Sequence, residues 1–405
     1  MAPVKRLVVV LALLVGFVLG HAVTRYHYTH LPAPQTAQAT KPAEPAKPAE
    51  APEPARANVN FEREPLWAYG FVDPPKPGDK AQPQAPPTNK PRPNQDLNEQ
   101  TRPRQVEGSA GSYSLVQIRD LHNVIDWFPG DHPRMTEVVQ HGPRAMGDVA
   151  RGCGSCHLPN GRGRPENAPP GGLPAAYFIR QIDDFRHGLR YTADPRKPNT
   201  NTMIDLARAM TDAEVKEAAE YFSSIKPPAE PWIRVVEAKT APKVRYVGNL
   251  ALPAKEKGEE PIGGRIIEMP QDEEQGDTLR NPHSGFVAYV PPGSIRKGED
   301  LVTTGGMKIV GGKIVQGKTT ACGTCHGLNL TGVVGADVPP IAGRSPSYLV
   351  RQLWDIQQGT RNGSQAQLMK LVVANLTPDD LVAIASYIAS RPQNAPPTAA
   401  PAATN

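Results

Sequence analysis

The order of hydrophobic and polar positions divides the chain into regions of different character. Residues 177–190 and 348–361 place apolar side chains at i, i+4 and i+7, the spacing of an amphipathic helix. Residues 229–293 instead contain short runs of β-branched and aromatic residues that glycine and proline interrupt. The pattern predicts a mainly α protein in which a β-rich connector joins two helical units.

The two helical units repeat each other. Six positions recur at the same spacing: Tyr177, Arg180, Gln181, Asp184, Gly188 and Arg190 correspond to Tyr348, Arg351, Gln352, Asp355, Gly359 and Arg361. A further helix is predicted after Thr211, which forms a capping box with Glu214, and after Thr377, which is followed by Pro378 at the first helical position. The inward stripes of these helices are predicted to be Val215, Ala218, Ala219 and Phe222, and Leu381, Ile384, Ala385 and Ile388. A repeat of this kind predicts two domains built on one all-α plan.

The N-terminal region has the composition of an export signal followed by a spacer. Lys5 and Arg6 precede an apolar run at residues 7–20, which is typical of a signal peptide and, counted on to residue 23, is just long enough for a membrane anchor. Both interpretations place the rest of the chain outside the cytoplasm. Residues 24–110 are rich in proline and alanine and predict a disordered linker. An aromatic island at residues 61–73 interrupts this linker, and we expect the island to pack on a domain.

These patterns give a division of the chain into six segments. Ordered structure is expected to begin near Ser112, and Gly311-Gly312 between two apolar runs predicts a β-hairpin. The predicted segments are a signal peptide or N-terminal membrane anchor at 1–23, a linker at 24–110, domain 1 at 111–228, a β-rich connector at 229–293, domain 2 at 294–392 and a flexible tail at 393–405.

The charge distribution argues against one class of partner. The 405 residues carry a net charge of +5, and lysines and arginines are mixed with acidic residues along the chain. A nucleic-acid-binding protein would concentrate its basic residues on one face. The sequence therefore predicts no nucleic-acid partner.

The four cysteines lie in two pentapeptides of the form Cys-x-x-Cys-His. The first contains Cys153, Cys156 and His157, and the second contains Cys322, Cys325 and His326. A zinc site would bring both pairs together but leaves the two histidines unexplained, and a redox dithiol would require a βαβ setting that neither copy has. Haem accounts for both features, because the thiols add to the vinyl groups and the histidine lies next to the iron. The sequence therefore favours two covalently attached haem c groups.

A methionine recurs at a fixed distance from the last helix of each unit. Met203 lies seven residues before Met210, and Met369 lies seven residues before Leu376; Met210 and Leu376 directly precede the N-cap threonines. This distance is the same in both units, although the first unit has five more residues between its arginine and its methionine. This constant register favours a distal iron ligand in a loop over a core filler. Met210 competes with Met203 for this role but aligns with Leu376 and is expected to lie in the core.

Other polar residues near the pentapeptides have two interpretations. His122, His132 and His141 precede the first pentapeptide and would supply a bis-histidine site, although hydrogen-bonded or solvated histidines are favoured. Arg190 and Arg361 either pair with haem propionates or are charges at the surface ends of helices. The sequence leaves this second choice open.

The two units resemble the tandem two-haem cytochromes c of bacteria, which consist of two domains of the monohaem cytochrome c fold. The resemblance covers residues 133–226 and 294–391 and rests on "CGSCH", "CGTCH", the Tyr-x-x-Arg-Gln helix and the methionine segment before a capped helix. It implies that Cys153, Cys156, Cys322 and Cys325 carry the haems, that His157 and His326 are proximal ligands, and that Met203 and Met369 are distal ligands. It also implies that a proline carbonyl, Pro339 in the second unit and Pro169 in the first, accepts the proximal histidine N–H.

The function that follows is transfer of single electrons. Irons with two axial ligands have no open position for a substrate, so we expect a carrier that exchanges electrons with redox proteins in the bacterial periplasm, attached to the inner membrane if residues 7–23 are not cleaved. Two alternatives stay open: a haem enzyme resembling two-haem peroxidases, and the cytochrome subunit of a dehydrogenase complex. The enzyme would need one five-coordinate iron.

Overall fold

The computed structural model describes residues 64–82, 84, 86–228 and 230–398. The predicted signal peptide or anchor lies outside these residues. The helices of the described chain are α1 (Leu66–Tyr69), α2 (Leu97–Thr101), α3 (Leu115–Ile118), α4 (Glu137–His141), α5 (Cys153–His157), α6 (Ala175–Arg186), α7 (Pro198–Ala209), α8 (Asp212–Ser224), α9 (Ser294–Thr304), α10 (Gly323–His326), α11 (Pro346–Gln357), α12 (Ala366–Val373) and α13 (Pro378–Ala389). The strands are β1 (Ile233–Glu237), β2 (Thr240–Pro242), β3 (Val244–Val247), β4 (Leu250–Pro253), β5 (Glu259–Pro261), β6 (Ile267–Pro270), β7 (Phe286–Val290), β8 (Lys308–Val310) and β9 (Lys313–Val315).

The predicted terminal helices of both units are confirmed. In α8 the Thr211 hydroxyl accepts from the Glu214 N–H at 3.3 Å, and the Glu214 carboxylate accepts from the Thr211 N–H at 2.7 Å. Thr377 forms the same box with Asp380 at the start of α13. The predicted inward stripes are buried on both helices. Each stripe therefore packs into the core of its own unit, where α6 and α11 also bury their apolar faces.

Helix α9 begins the second unit and was not identified from the sequence. It packs against α13 so closely that a Cβ on Gly298 would lie 2.0 Å from the carbonyl oxygen of Ala383. Glycine at this position removes that clash and allows the two backbones to meet. The sequence pattern of α9 is a weak helix signal, because a glycine lies in mid-helix and most surface positions are charged. For this reason the helix was identified only in the structure.

The connector is β-rich, as predicted, and it contacts both units. Strands β1 and β7 are parallel, β7 and β6 are antiparallel, and β2–β5 and β3–β4 form two antiparallel pairs. The Arg280 side chain donates to the carbonyl of Ser155 in α5 at 2.7 Å. On the other side, Glu268 of β6 accepts hydrogen bonds from Ser345 and Ser347 at the start of α11. The connector is therefore hydrogen-bonded both to the first pentapeptide and to the start of helix α11 in the second unit.

The predicted hairpin is confirmed between β8 and β9. Gly311 and Gly312 have φ values of 57° and 77°, the left-handed pair that a two-residue type I′ turn requires. All six strand residues are exposed, including Ile309 and Ile314, which face each other across the pair. The first unit contains no hairpin at the corresponding position among its described residues.

Ordered structure begins earlier than Ser112, so the prediction of that boundary was wrong. The aromatic island contributes α1, in which Ala68 and Tyr69 are buried against the core of the second unit. The Tyr69 hydroxyl donates to Asp355 at 2.7 Å, and Arg351 donates to the carbonyl of Ala68 at 2.6 Å. The physical reason is that burial of large aromatic side chains contributes enough free energy to order a short segment, even within a proline-rich region.

Membrane spans were sought among the described residues. No single helix in residues 64–398, apart from the gaps stated above, is long and apolar enough to cross a bilayer. Helices α12 and α13 meet the length and composition criteria only as a pair, and they are bent by 116°.

We predict that Tyr69→Phe lowers the free energy of unfolding by about 1–3 kcal/mol, because it removes a buried hydrogen bond to a carboxylate, to which Ala193 and Thr360 still donate. Chemical denaturation of the haem-loaded protein measures the change. Tyr289→Phe is the control, since Tyr289 is partly buried and its hydroxyl has no hydrogen bond to described residues. Equal stability of both variants would contradict a role for α1 in holding α11.

Candidate functional sites of the two units

The first pentapeptide forms helix α5, which holds a half-buried histidine in a defined protonation state. His157 Nδ1 lies 2.7 Å from the carbonyl oxygen of Ala168. Because a carbonyl only accepts, Nδ1 must carry the proton, and Nε2 keeps its lone pair. Burial lowers the pKa of His157, which favours the neutral ring. A neutral imidazole with a free Nε2 is the form that binds iron.

The second pentapeptide repeats this arrangement on α10. His326 is buried, its Nδ1 lies 2.9 Å from the carbonyl oxygen of Pro339, and burial lowers its pKa. The expectation for Pro339 is confirmed, whereas the expectation for Pro169 was wrong, because Ala168 supplies the carbonyl. Ala168 and Pro339 each lie nine residues before the repeated tyrosines of α6 and α11. Counting back from these tyrosines, instead of matching prolines, would have found Ala168.

Both methionines lie on helices, so their predicted placement in loops was wrong. Met203 is in α7 and Met369 is in α12. Pro198 at the first position of α7 and apolar residues at Met203, Leu206 and Met210 are helix signals that explain the difference. Met203 packs against the core of the first unit together with Cys153, and Met369 packs against the core of the second unit together with Cys322.

A cavity in the first unit brings most of its predicted site residues together. Its empty volume is about 1350 Å³, which includes solvent at its mouth, and Cys153, Cys156, His157 and Met203 all line it. Apolar side chains form much of its wall: Phe178, Ile182, Phe185, Leu206 and Phe222. Met210 also lines it and is buried in the core, as expected.

One edge of this cavity is polar and charged. Arg190, Lys197 and Glu166 line it from the first unit, and Arg351 and Asp355 line it from the second. Lys197 is only 3% exposed, its Nζ has no hydrogen-bond partner among the described residues, and burial lowers its pKa well below the ordinary value. An anion beside this amine would keep it protonated, because the attraction offsets the cost of burying the charge. An apolar cavity with an unpartnered lysine at its edge fits a haem, whose ring is apolar and whose propionates are anionic.

The alternative chemistries for the cysteines find less support. Burial raises the pKa of the Cys153 thiol to about 12 and of the Cys322 thiol to about 11, whereas a redox dithiol needs a lowered pKa. Cys153 packs against the core of the first unit and Cys322 against that of the second, which argues against one shared zinc site. Within the described ranges, no group of three or more His, Cys, Asp or Glu side chains is arranged to hold a metal ion.

Arg190 is buried and Arg361 is half-buried between the two units, so neither is an exposed charge at the surface end of a helix. Arg190 donates to Gln181 of its own unit at 3.0 Å and to Gln352 of the other at 2.9 Å. Arg361 mirrors this, donating to Gln352 at 3.2 Å and to Gln181 at 2.9 Å. The repeated tyrosines close the set, since Arg190 donates to Tyr348 and Arg361 to Tyr177. We call these six residues the seam network.

The three histidines before the first pentapeptide form hydrogen bonds elsewhere, as favoured. His122 contacts the carbonyl of Ala150, His132 lies 2.8 Å from the Tyr221 hydroxyl, and His141 contacts the carbonyl of His122. None of the three lines the cavity described above.

Comparison with known proteins supports the cytochrome interpretation. Residues 311–392 match the family model described as cytochrome c. Cytochrome c4 of Pseudomonas aeruginosa is 24% identical over 252 residues, which cover 60% of this chain and 89% of that protein. The thiosulfate dehydrogenase electron acceptor of Stutzerimonas stutzeri is 26% identical over 244 residues, which cover 60% of this chain and 80% of that protein. Among solved structures, reduced recombinant cytochrome c4 from Pseudomonas stutzeri matches with a TM-score of 0.36 and 22% identity, over 59% of this chain and 93% of that one.

The second unit contains a cytochrome c domain, and the similarity to cytochrome c4 supports a tandem, two-domain cytochrome c. The same comparisons support covalently bound haem c, with two haems for two domains, and a role in electron transfer.

We predict that Lys197→Met lowers the reduction potential of the first haem by on the order of 40 mV, equivalent to ~1 kcal/mol. A propionate beside the buried Lys197 would keep the amine protonated, and a positive charge near the haem disfavours the oxidised state. The second haem should change little. Spectroelectrochemical titration of the loaded protein measures both potentials. The exposed Lys216→Met on α8 is the control for loss of a lysine charge. Equal potentials in wild type and Lys197→Met would show that Lys197 does not face the haem.

Proposed function

We propose that the four cysteines attach the two haems by thioether bonds and that each iron has one histidine and one methionine ligand. His157 and Met203 would ligate the first iron, and His326 and Met369 the second. The observation that carries this proposal is that His157, with its Nδ1–H held by Ala168, lines the same cavity as Met203. The equal register of Met203 and Met369 before α8 and α13 supports the same role in both domains.

The proposed ligation implies a carrier of single electrons. A haem iron with both axial positions filled supplies one-electron exchange and offers no position for a substrate. The protein's residues orient the histidines through Ala168 and Pro339 and exclude water with the apolar wall of the cavity. The seam network fixes the two domains against each other, so that electrons can pass between haems at a constant separation. A peroxidase-like enzyme would instead need one iron without its methionine.

We infer that the redox partners are proteins outside the cytoplasm and that one of them is a dehydrogenase. The similarity to thiosulfate dehydrogenase electron acceptors supports a donor of this kind. The export signal of the sequence supports a periplasmic location, with attachment to the inner membrane through residues 7–23 if they are retained. Stopped-flow reduction of the loaded protein by a purified thiosulfate dehydrogenase with thiosulfate tests the donor, and no reduction above the buffer rate would exclude it.

The visible spectrum of the reduced protein with and without carbon monoxide tests the ligation. We expect an unchanged spectrum, because two strong axial ligands leave no position for the gas. A shift of about half the haem signal would show one open iron, and the enzyme would then become the better hypothesis.

We predict that Met203→Ala and Met369→Ala each make about half of the haem signal responsive to carbon monoxide, because each variant removes one distal ligand. Met210→Ala is the matched control, since Met210 lines the same cavity as Met203 and is buried. It should lower stability by about 2–5 kcal/mol and leave the reduced spectrum insensitive to the gas. A response in Met210→Ala but not in Met203→Ala would reassign the first distal ligand.

A further inference from the structure

One buried arginine lies between the two segments that hold the proximal histidines. Arg344 belongs to the second domain, between α10 and α11, and is only 7% exposed. Its Nε donates to the carbonyl of Pro340 at 2.6 Å. Its Nη1 donates to the carbonyl of Pro169, and its Nη2 donates to the carbonyl of Gly171 at 3.3 Å. A single guanidinium therefore binds carbonyls of both domains.

The bound carbonyls are the immediate neighbours of the histidine acceptors. Ala168 accepts from His157 and is followed by Pro169, whereas Pro339 accepts from His326 and is followed by Pro340. We call residues 168–171 the first support segment and residues 339–341 the second. In each segment, Arg344 holds the peptide that follows the one hydrogen-bonded to the ring.

Proline restricts the backbone between the carbonyl that Arg344 binds and the carbonyl that accepts from the histidine. The ring fixes φ at Pro169 and Pro340, so the orientation of each proline carbonyl restricts the orientation of the preceding peptide. That preceding peptide carries the oxygen that accepts from the histidine Nδ1–H. Fixing two proline carbonyls therefore limits the direction in which both imidazole rings can point.

The arrangement is asymmetric, although the domains repeat each other. Leu173 stands at the position of the first domain that corresponds to Arg344, counted from the repeated tyrosines, and its side chain has no donor. The first support segment thus takes its guanidinium from the second domain. A guanidinium can bind carbonyls of both domains at once, because it presents several N–H groups in one plane, which the ammonium of a lysine does not.

We propose that Arg344 is a positioning residue for both proximal histidines. The reduction potentials of both haems then depend on the hydrogen bonds of this one side chain. The proposal rests on the function proposed above, in which His157 and His326 ligate iron. A hydrogen bond from Nδ1 makes the histidine a stronger electron donor to the metal. Loosening both support segments weakens that donation at both irons and favours the reduced state in each domain.

Arg344→Lys tests the proposal, because it keeps the positive charge and loses the forked hydrogen bonds. We expect the potentials of both haems to rise together in a spectroelectrochemical titration. We also expect the Nδ1–H protons of both His157 and His326 to exchange with solvent faster than in the wild type, as measured by NMR of the loaded protein. Arg344→Met removes the positive charge as well as the hydrogen bonds. Loss of a positive charge lowers both reduction potentials, so this variant should show a smaller rise than Arg344→Lys, or a fall.

Arg162→Lys is the matched control. Arg162 lines the same groove as Arg344 but donates to Pro282 of the connector and not to a support segment. It should leave both potentials and both exchange rates unchanged. A change confined to the second haem in Arg344→Lys, or a loss of stability with unchanged potentials and exchange rates, would overturn the proposal.

Failure of this proposal differs from failure of the proposed ligation. The ligation is tested on the wild-type protein by carbon monoxide, and binding of the gas there would show an open iron whatever Arg344 does. Unchanged potentials in Arg344→Lys together with a wild type that does not bind the gas would reject the role of Arg344 alone.

Discussion

The buried seam network is the interaction on which the arrangement of the two domains depends. Two guanidinium groups lie between the domains, and each has acceptors on both of them. Separating the domains would replace these hydrogen bonds by bonds to water, whereas removing one acceptor from the assembled seam would leave a guanidinium underpaired. The backbone reinforces the contact, since Tyr191 donates to Thr360 and Asn362 donates to Leu189 across the seam. The domains are therefore fixed as one unit, and the second domain lines the cavity of the first.

The segments outside the repeat stabilise this seam from its edges. The connector holds the first pentapeptide through Arg280 and the start of α11 through Glu268. From the N-terminal side, α1 contacts the last turn of α11 through Tyr69. Because α11 carries Gln352 and Tyr348 of the seam network, the contacts of Glu268 and Tyr69 restrict a helix of the seam. The electron path between two haems depends on such a constant geometry.

The electrostatics of the site follow from burial. His157 and His326 each have a carbonyl oxygen at Nδ1 and a pKa that burial lowers, so each ring is neutral and presents Nε2. In the cavity of the first domain, the Lys197 amine is buried without a hydrogen-bond partner among the described residues, and burial lowers its pKa. Arg344 is buried too, but carbonyl oxygens of both domains satisfy its donors. Carbonyl acceptors thus fix the protonation of both histidines, and the unpartnered Lys197 amine is a position at which an anionic group would be stabilised.

The sequence by itself determined the repeat, the capped helices, the β-rich connector, the hairpin and the covalent haem chemistry, because these are set by local spacing. The cysteines and histidine need five adjacent residues, and a capping box needs four. Tertiary structure decided what depends on distant partners. The close approach at Gly298 and the burial of Arg190 and Arg344 arise where segments far apart in the chain meet. A local pattern contains no information about such a partner, so these features appear only in the folded chain.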